Sequence, residues 1–381
     1  MGWRVTPSTN TDMAIALAAL KAALGAPLGS SQPVWEQSSS GQRASAITRH
    51  RLSRVVVNSP HPVELEATDL ETVTNDALAH THAAFQLVGH TARVAGLLEA
   101  ENINFLVIKG IALGALSQTP AGRGAGDVDI LVEPGDVPHV HDIVSRGGFR
   151  PALALPNMQA PGVWRVWSFL DREATYLGHN THIDLHWRIS SQRHLFPTFS
   201  TLHARKTAVT VAEATVPTLS LADSVAAACY HAYFDQFQPL RSLVDVVAVV
   251  GASHDITLPT YSPKLQRLIS GVLDLTRTLF PGVADGSIDR LTHHLPAPPT
   301  IVAKRFEQAL LTPKVAWEEE QNTGALWAKI LAEAPFDSPV DIIPRFIGKR
   351  LFHFPQWSEL HPTTPLAHAL RNRIRVESAR K

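Results

Sequence analysis

The 381-residue chain has one cysteine, three methionines and four tyrosines, and aromatic residues make up only 7% of it. A single thiol excludes an intramolecular disulfide and any cysteine-built metal cluster, which fits a reducing compartment. Cys229 sits in an alanine-rich stretch where a buried, inert thiol is expected. Excess charge of either sign is also missing, since Lys plus Arg and Asp plus Glu both number 34. The overall charge therefore does not point to nucleic acid, although a local basic patch is compatible with a neutral total. No apolar run reaches the roughly 20 residues of a membrane-spanning helix, so no membrane partner is expected. Residues 13–29 imitate a secretion signal, but Asp12 precedes them and Lys21 interrupts them, which is the wrong charge order. "MGWRVT" matches a myristoylation pattern too short to carry weight. With 45% hydrophobic and 18% charged residues, the chain otherwise reads as a globular, cytoplasmic protein.

Two common phosphate-binding signatures are absent as well. No G-x-x-x-x-G-K-[ST] loop occurs, and the glycines of "GRGAGD" (122–127) precede a strand rather than a helix, which excludes a dinucleotide fingerprint.

The pattern along the chain predicts an alanine-rich helix over 10–25, then a mobile linker over the polar, serine-rich residues 29–45. Arg49, Arg51 and Arg54 form a short basic run that reads as solvated surface. A long amphipathic helix is predicted from Asp69 to Ala100, with Leu78, Phe85, Val88, Ala92 and Leu97 at helical spacing. Strands follow at "INFLVIKG" (103–110), "DVDILVEP" (127–134), "EATYLG" (173–178) and "THIDLHWRI" (181–189). After about Leu219 the pattern is helical. Three parts are expected: 1–65, an N-terminal helix with a flexible, basic segment; 66–215, an α/β catalytic unit; and 216–381, a mainly helical region.

The chemistry concentrates in "DVDILV" and "HIDLH". Side chains two apart in a strand share a face, so Asp127 and Asp129 project together while Val128, Ile130 and Val132 pack behind them. The same alternation sets His182, Asp184 and His186 opposite Ile183, Leu185 and Trp187. Neighbouring carboxylates on a core strand repel one another unless a cation offsets their charge. Hard oxygen donors suit Mg²⁺ or Mn²⁺, whose remaining ligands are commonly water and substrate phosphate. If the two strands are adjacent, three carboxylates converge, as a two-metal site for displacement at phosphorus requires. Removing any one aspartate is then expected to abolish turnover and to leave metal-free stability level or raised.

In their order, "VIKGIALGAL", "RGAGDVDILVEPGDV", "HIDLHWRI", "LSLADSVAAACYHA" and "LRSLVDVVAVV" resemble the uncharacterised bacterial nucleotidyltransferase family of the polymerase-β-like superfamily, over about residues 70–270. The resemblance implies an α+β fold, a small mixed sheet with helices followed by a helical substrate-binding region. It implies Mg²⁺-dependent transfer of a nucleoside monophosphate from an NTP to an acceptor. By position, Asp127 and Asp129 match the metal-binding D-h-D pair, Asp184 the third carboxylate, and Gly110 the glycine after the first strand. Where the superfamily commonly has a small polar residue beside that glycine, this chain reads Lys109-Gly110-Ile111. The phosphate grip is therefore expected from Lys109 and Arg123, with Gly110 and Gly126 allowing close approach of the backbone. Asp184 is the candidate to receive the acceptor proton. His186, His231, Arg241 and Asp245 are candidate acceptor contacts, although the last three equally suit a polar cluster tying two helices together. The favoured acceptor is a small molecule or a peptide. A toxin-like transferase acting on tRNA and a non-catalytic nucleotide-binding protein are the alternatives.

Overall fold

The computed structural model describes residues 11–117, 126–152, 155, 158, 161–211, 213–253 and 255–311. Arg123 lies outside these residues.

The first helix, α1 (Thr11–Ala23), is buried nearly all round, from Met13 to Leu20. Its alanine-rich composition imitates a signal core for this reason: a helix apolar on every side belongs inside a core. The stretch expected as a linker is instead helical, with a 3₁₀ turn at Gly29–Ser31, α2 (Gln32–Gln37) and α3 (Ser40–Arg49). Its serines and glutamines serve helix ends, and Gln42 Oε1 accepts from the Ser39 N–H at 2.9 Å. Trp35 supplies the apolar anchor, buried beneath Arg43, whose guanidinium stacks 4.6 Å from the ring centre. A short α4 (Ser53–Val57) then leads into α5 (Ala67–Ala100).

The long helix α5 forms as expected, but its buried face is rotated from the predicted stripe. Val73, Ala77, Leu87, Thr91, Val94, Ala95 and Leu98 face inward, while Leu78 is exposed and Phe85 is 73% exposed. Small side chains at 77 and 95 allow close packing, and the Thr91 hydroxyl is satisfied by donating to Leu87 O at 2.8 Å.

The strands are β1 (Phe105–Val107), β2 (Val128–Val132), β3 (Arg150–Pro151), β4 (Glu173–Gly178), β5 (Thr181–His186), β6 (Thr207–Val211) and β7 (Ala214–Thr218). They form one mixed sheet ordered β3-β4-β5-β2-β1-β7-β6, in which β2 and β5, and β1 and β7, run parallel. The β4–β5 hairpin turns at His179 and Asn180, both at positive φ as a tight hairpin requires. The β6–β7 hairpin was not anticipated from the sequence, and β7 spans the 215/216 boundary drawn there.

Intervening helices are α6 (Gly110–Leu116), α7 (Val137–Arg146), α8 (Pro161–Leu170) and α9 (Phe199–Ala204). The helical half contains α10 (Leu221–Phe234), α11 (Arg241–Gly251), α12 (Pro263–Leu279), α13 (Asp285–Thr292) and α14 (Thr300–Leu311).

Alternation along the strands gives the sheet two apolar faces. Val107, Val128, Ile130, Ile183 and Leu185 join a core with α5 and α7. Leu106, Ile108 and Leu131 join the larger core built from α1, α3 and α10–α14. Asp129 and Asp184 share this second face, which looks toward the helical half. No helix among the described residues is long and apolar enough to cross a membrane.

Candidate active site

The parallel register of β2 and β5 pairs Asp129 directly with Asp184, while antiparallel β4 places Thr175 beside Asp184 and Glu173 beside His186. The two strands expected to converge are therefore neighbours in the sheet. Asp129 is 3% exposed, a burial that needs compensation. Two cationic groups provide it. His186 Nε2 donates to Asp129 Oδ1 at 2.9 Å, and Lys109 Nζ lies 3.4 Å from the same oxygen.

Lys109 is delivered by a strained turn. It has φ 58° between β1 and α6, and Gly110 follows at φ 46°, so two consecutive residues are left-handed. That geometry favours glycine at 110 and costs Lys109 conformational energy, a pattern typical of functional positions. Gly126 is exposed, immediately before Asp127, with open space where a side chain would stand.

His186 was expected to contact the acceptor, yet its side chain is 1% exposed and lies between two carboxylates. Its Nδ1 sits 3.0 Å from Glu173 Oε2, an ion-pair distance out of line for a good hydrogen bond. Burial opposes the imidazolium, but Glu173 and Asp129 override it and raise the pKa to about 8. Burial would likewise raise the Glu173 carboxyl, but Arg172 and His186 hold it well below the usual range. Arg172 Nε approaches Glu173 Oε2 at 3.3 Å and its Nη1 donates to Ile189 O at 2.9 Å. A row of alternating charge, Arg172–Glu173–His186–Asp129–Lys109, thus runs beneath the site.

Asp184 is half-buried and accepts from the Thr175 hydroxyl at 2.6 Å. Burial raises its pKa; His186 and Thr175 oppose the rise, and Asp129 and Glu173 add to it. Donor atoms of Asp129, Asp184 and His186 all lie within 4.8 Å of one another. Because the His186 ring already donates to Asp129, the carboxylates are the donors suited to a hard cation, and Lys109 and His186 mark where positive charge is wanted.

A cavity of about 220 Å³ opens above Asp129. Lys109, Asp127 and Asp129 form its sheet-side wall, and His231, Arg241 and Asp245 from α10 and α11 form part of the opposite one. Sequence reading assigned these two sets to different substrates, and they share one cavity. His231 is held neutral, first by burial and then by Lys109 and Arg172 nearby, and among the described residues its buried Nε2 has no hydrogen-bond partner. Glu173, Arg172 and Thr175 were missed in the sequence. The signal was the alternation of "EATYLG", which puts Glu173 and Thr175 on one face of a strand already predicted.

The chain belongs to the family described as uncharacterised nucleotidyltransferase, whose profile matches residues 43–276, more than half of its length. With the mixed sheet and helical half, this defines the protein as a transferase of the nucleotidyltransferase class. Among solved structures, the chain is similar to the antibiotic-resistance factor ANT(2'')-Ia, at 14% identity and a TM-score of 0.30, covering 43% of this chain and 80% of that one. It is also similar to an antigenic nucleotidyltransferase-like protein from Paracoccidioides brasiliensis, at 13% identity and a TM-score of 0.37, covering 58% of this chain and 96% of that one. Comparison with curated protein sequences gave no match.

Proposed function

We propose that the protein transfers a nucleoside monophosphate from an NTP to a hydroxyl of a small-molecule or peptide acceptor, releasing pyrophosphate. The observation that carries this reading is the in-register pairing of Asp129 with Asp184 beside a cavity that also exposes Asp127 and Lys109. Asp127, Asp129 and Asp184 would hold Mg²⁺ or Mn²⁺. Such a cation, when bound, neutralises phosphate charge and acidifies the attacking hydroxyl.

Lys109, with Arg123 as the second cation expected from the sequence, grips the triphosphate. His186, itself held by Glu173, fixes the rotamer of Asp129 from below. The cavity wall includes Asp127 and Asp129, whereas Asp184 lies one strand further over, so we place the NTP in the cavity and the acceptor above Asp184. That moves His231, Arg241 and Asp245 from the expected acceptor side to the donor side. The acceptor oxygen attacks the α-phosphorus, the bond from that phosphorus to the bridging oxygen breaks, and Asp184 takes the hydroxyl proton. A carboxylate whose pKa is raised by burial is the better base for this step. Catalysis then rests on positioning and charge stabilisation, without a covalent enzyme intermediate.

The test uses NTP labelled at the α-phosphorus with extracts or acceptor panels. Label is expected on the acceptor with pyrophosphate released, and is lost in Asp129→Ala. Transfer of label from the γ-position instead would overturn the reading.

A further inference from the structure

The short basic run at 49–54 does not behave as one surface. Arg49 pairs with Asp12 on the exterior, whereas Arg51 lines the same cavity as Lys109 and Asp129. Arg51 lies in the turn between α3 and α4, in a left-handed conformation with φ 57°. Its neighbours hold it there. Leu52 is completely buried in the larger core, and His50 is 5% exposed against the start of α11. His50 Nδ1 accepts from the Leu240 N–H and its carbonyl oxygen accepts from the Arg241 N–H, both at 3.3 Å. A bulky residue is thus kept in a costly backbone conformation, with both flanks anchored and its side chain exposed to the cavity.

The charges on the wall say what that side chain is for. Four carboxylates, from Asp127, Asp129, Asp235 and Asp245, face three cations, from Arg51, Lys109 and Arg241. Lys109 is already held by Asp129, and among the described residues no carboxylate pairs with Arg51. An incoming triphosphate adds further negative charge to a wall where carboxylates are in the majority. The planar fork of a guanidinium matches phosphate oxygens.

We propose that Arg51, delivered by the N-terminal helices, binds the phosphates of the NTP together with Lys109. The inference rests on the reading of the cavity as the NTP site. It makes the α3–α4 turn part of the donor site rather than an appendage to it.

Calorimetric titration with a non-hydrolysable NTP, and separately with inorganic tripolyphosphate, tests it on wild type, Arg51→Ala, Arg51→Gly, Arg51→Lys and Arg49→Ala. Glycine adopts φ 57° at lower cost than arginine, so weakened binding in Arg51→Gly does not reflect a turn that failed to form. Loss of a charge-assisted bond predicts about 10- to 100-fold weaker binding of both ligands in the Ala and Gly variants. Arg51→Lys should recover part of the loss, and Arg49→Ala should bind as wild type. Unchanged affinity in Arg51→Ala, with wild type still binding NTP, overturns the proposal and leaves the NTP site standing. Weakened NTP binding with unchanged tripolyphosphate binding also overturns it, because Arg51 would then touch base or sugar. Failure of wild type to bind NTP overturns the reading of the cavity and the proposal with it.

Discussion

Asp129 and Asp184 look equivalent in the sequence, and the structure predicts opposite effects on stability when each is neutralised. Asp129 is almost completely buried, with His186 Nε2 at 2.9 Å and Lys109 Nζ at 3.4 Å. Removing one member of a buried ion pair typically costs about 3–5 kcal/mol, because the remaining charge is left uncompensated. Here His186 keeps Glu173 at 3.0 Å, and Lys109 is partly exposed, so the lower end applies, about 3 kcal/mol for Asp129→Asn. Asp184 instead carries its charge against burial and beside Asp129 and Glu173. An asparagine at 184 can still accept from Thr175 and relieves that repulsion, so Asp184→Asn should cost roughly nothing or stabilise by up to about 1 kcal/mol. This revises the expectation that every site aspartate, once removed, leaves stability level or raised. Urea and thermal unfolding in chelator-treated buffer, followed by circular dichroism, measure both variants against wild type. Equal midpoints for the two variants, or an Asp129→Asn protein as stable as wild type, would refute the reasoning.

Two further outcomes follow from buried charge and from the cavity. Burial lowers the pKa of His50 to about 4 from an ordinary 6.5, so its neutral form stabilises the fold fully above pH 6.5. Between pH 6.5 and 4 the unfolded chain takes the proton first, and about 3 kcal/mol of that stability disappears. In His50→Asn, whose carbonyl can still accept from Leu240 N–H, urea midpoints should fall less steeply over this window; parallel curves would contradict it. Arg241→Ala should weaken binding of a non-hydrolysable NTP by calorimetry, about tenfold for a lost charge-assisted contact, whereas unchanged affinity would return Arg241 to the acceptor side.

The pairing of Asp129 with Asp184 was legible because strand periodicity is strict: alternation set His182 with Asp184 and His186, while Asp127, expected on the same strand as Asp129, stands just before β2. The partnership of Glu173 with His186 was not, since it depends on the β4–β5 register rather than on the composition of either strand. Helical faces were less determinate. On α5, alanines and a threonine bonded to its own backbone turn inward, and Phe85 turns outward, so hydropathy indicated the helix and misjudged its rotation. Residues 29–45 misled for a related reason, because serine and glutamine suit both loops and helix ends, and only the packing of Trp35 decides between them. Arg51 could not be singled out from Arg49 and Arg54 without knowing that His50 and Leu52 point into the core.

The placement of α1 also bears on how the chain is made. This helix precedes the sheet in the chain, and its apolar sides belong to a core shared with Leu265, Val272, Val302 and Phe306, which are translated much later. The nearer partners of this helix, α2, α3 and α4, follow it at once, while the side that meets α14 stays uncovered until the helical half is made. During synthesis, the side of α1 that meets α14 is therefore an apolar surface awaiting the helical half, and a natural client for a ribosome-associated chaperone.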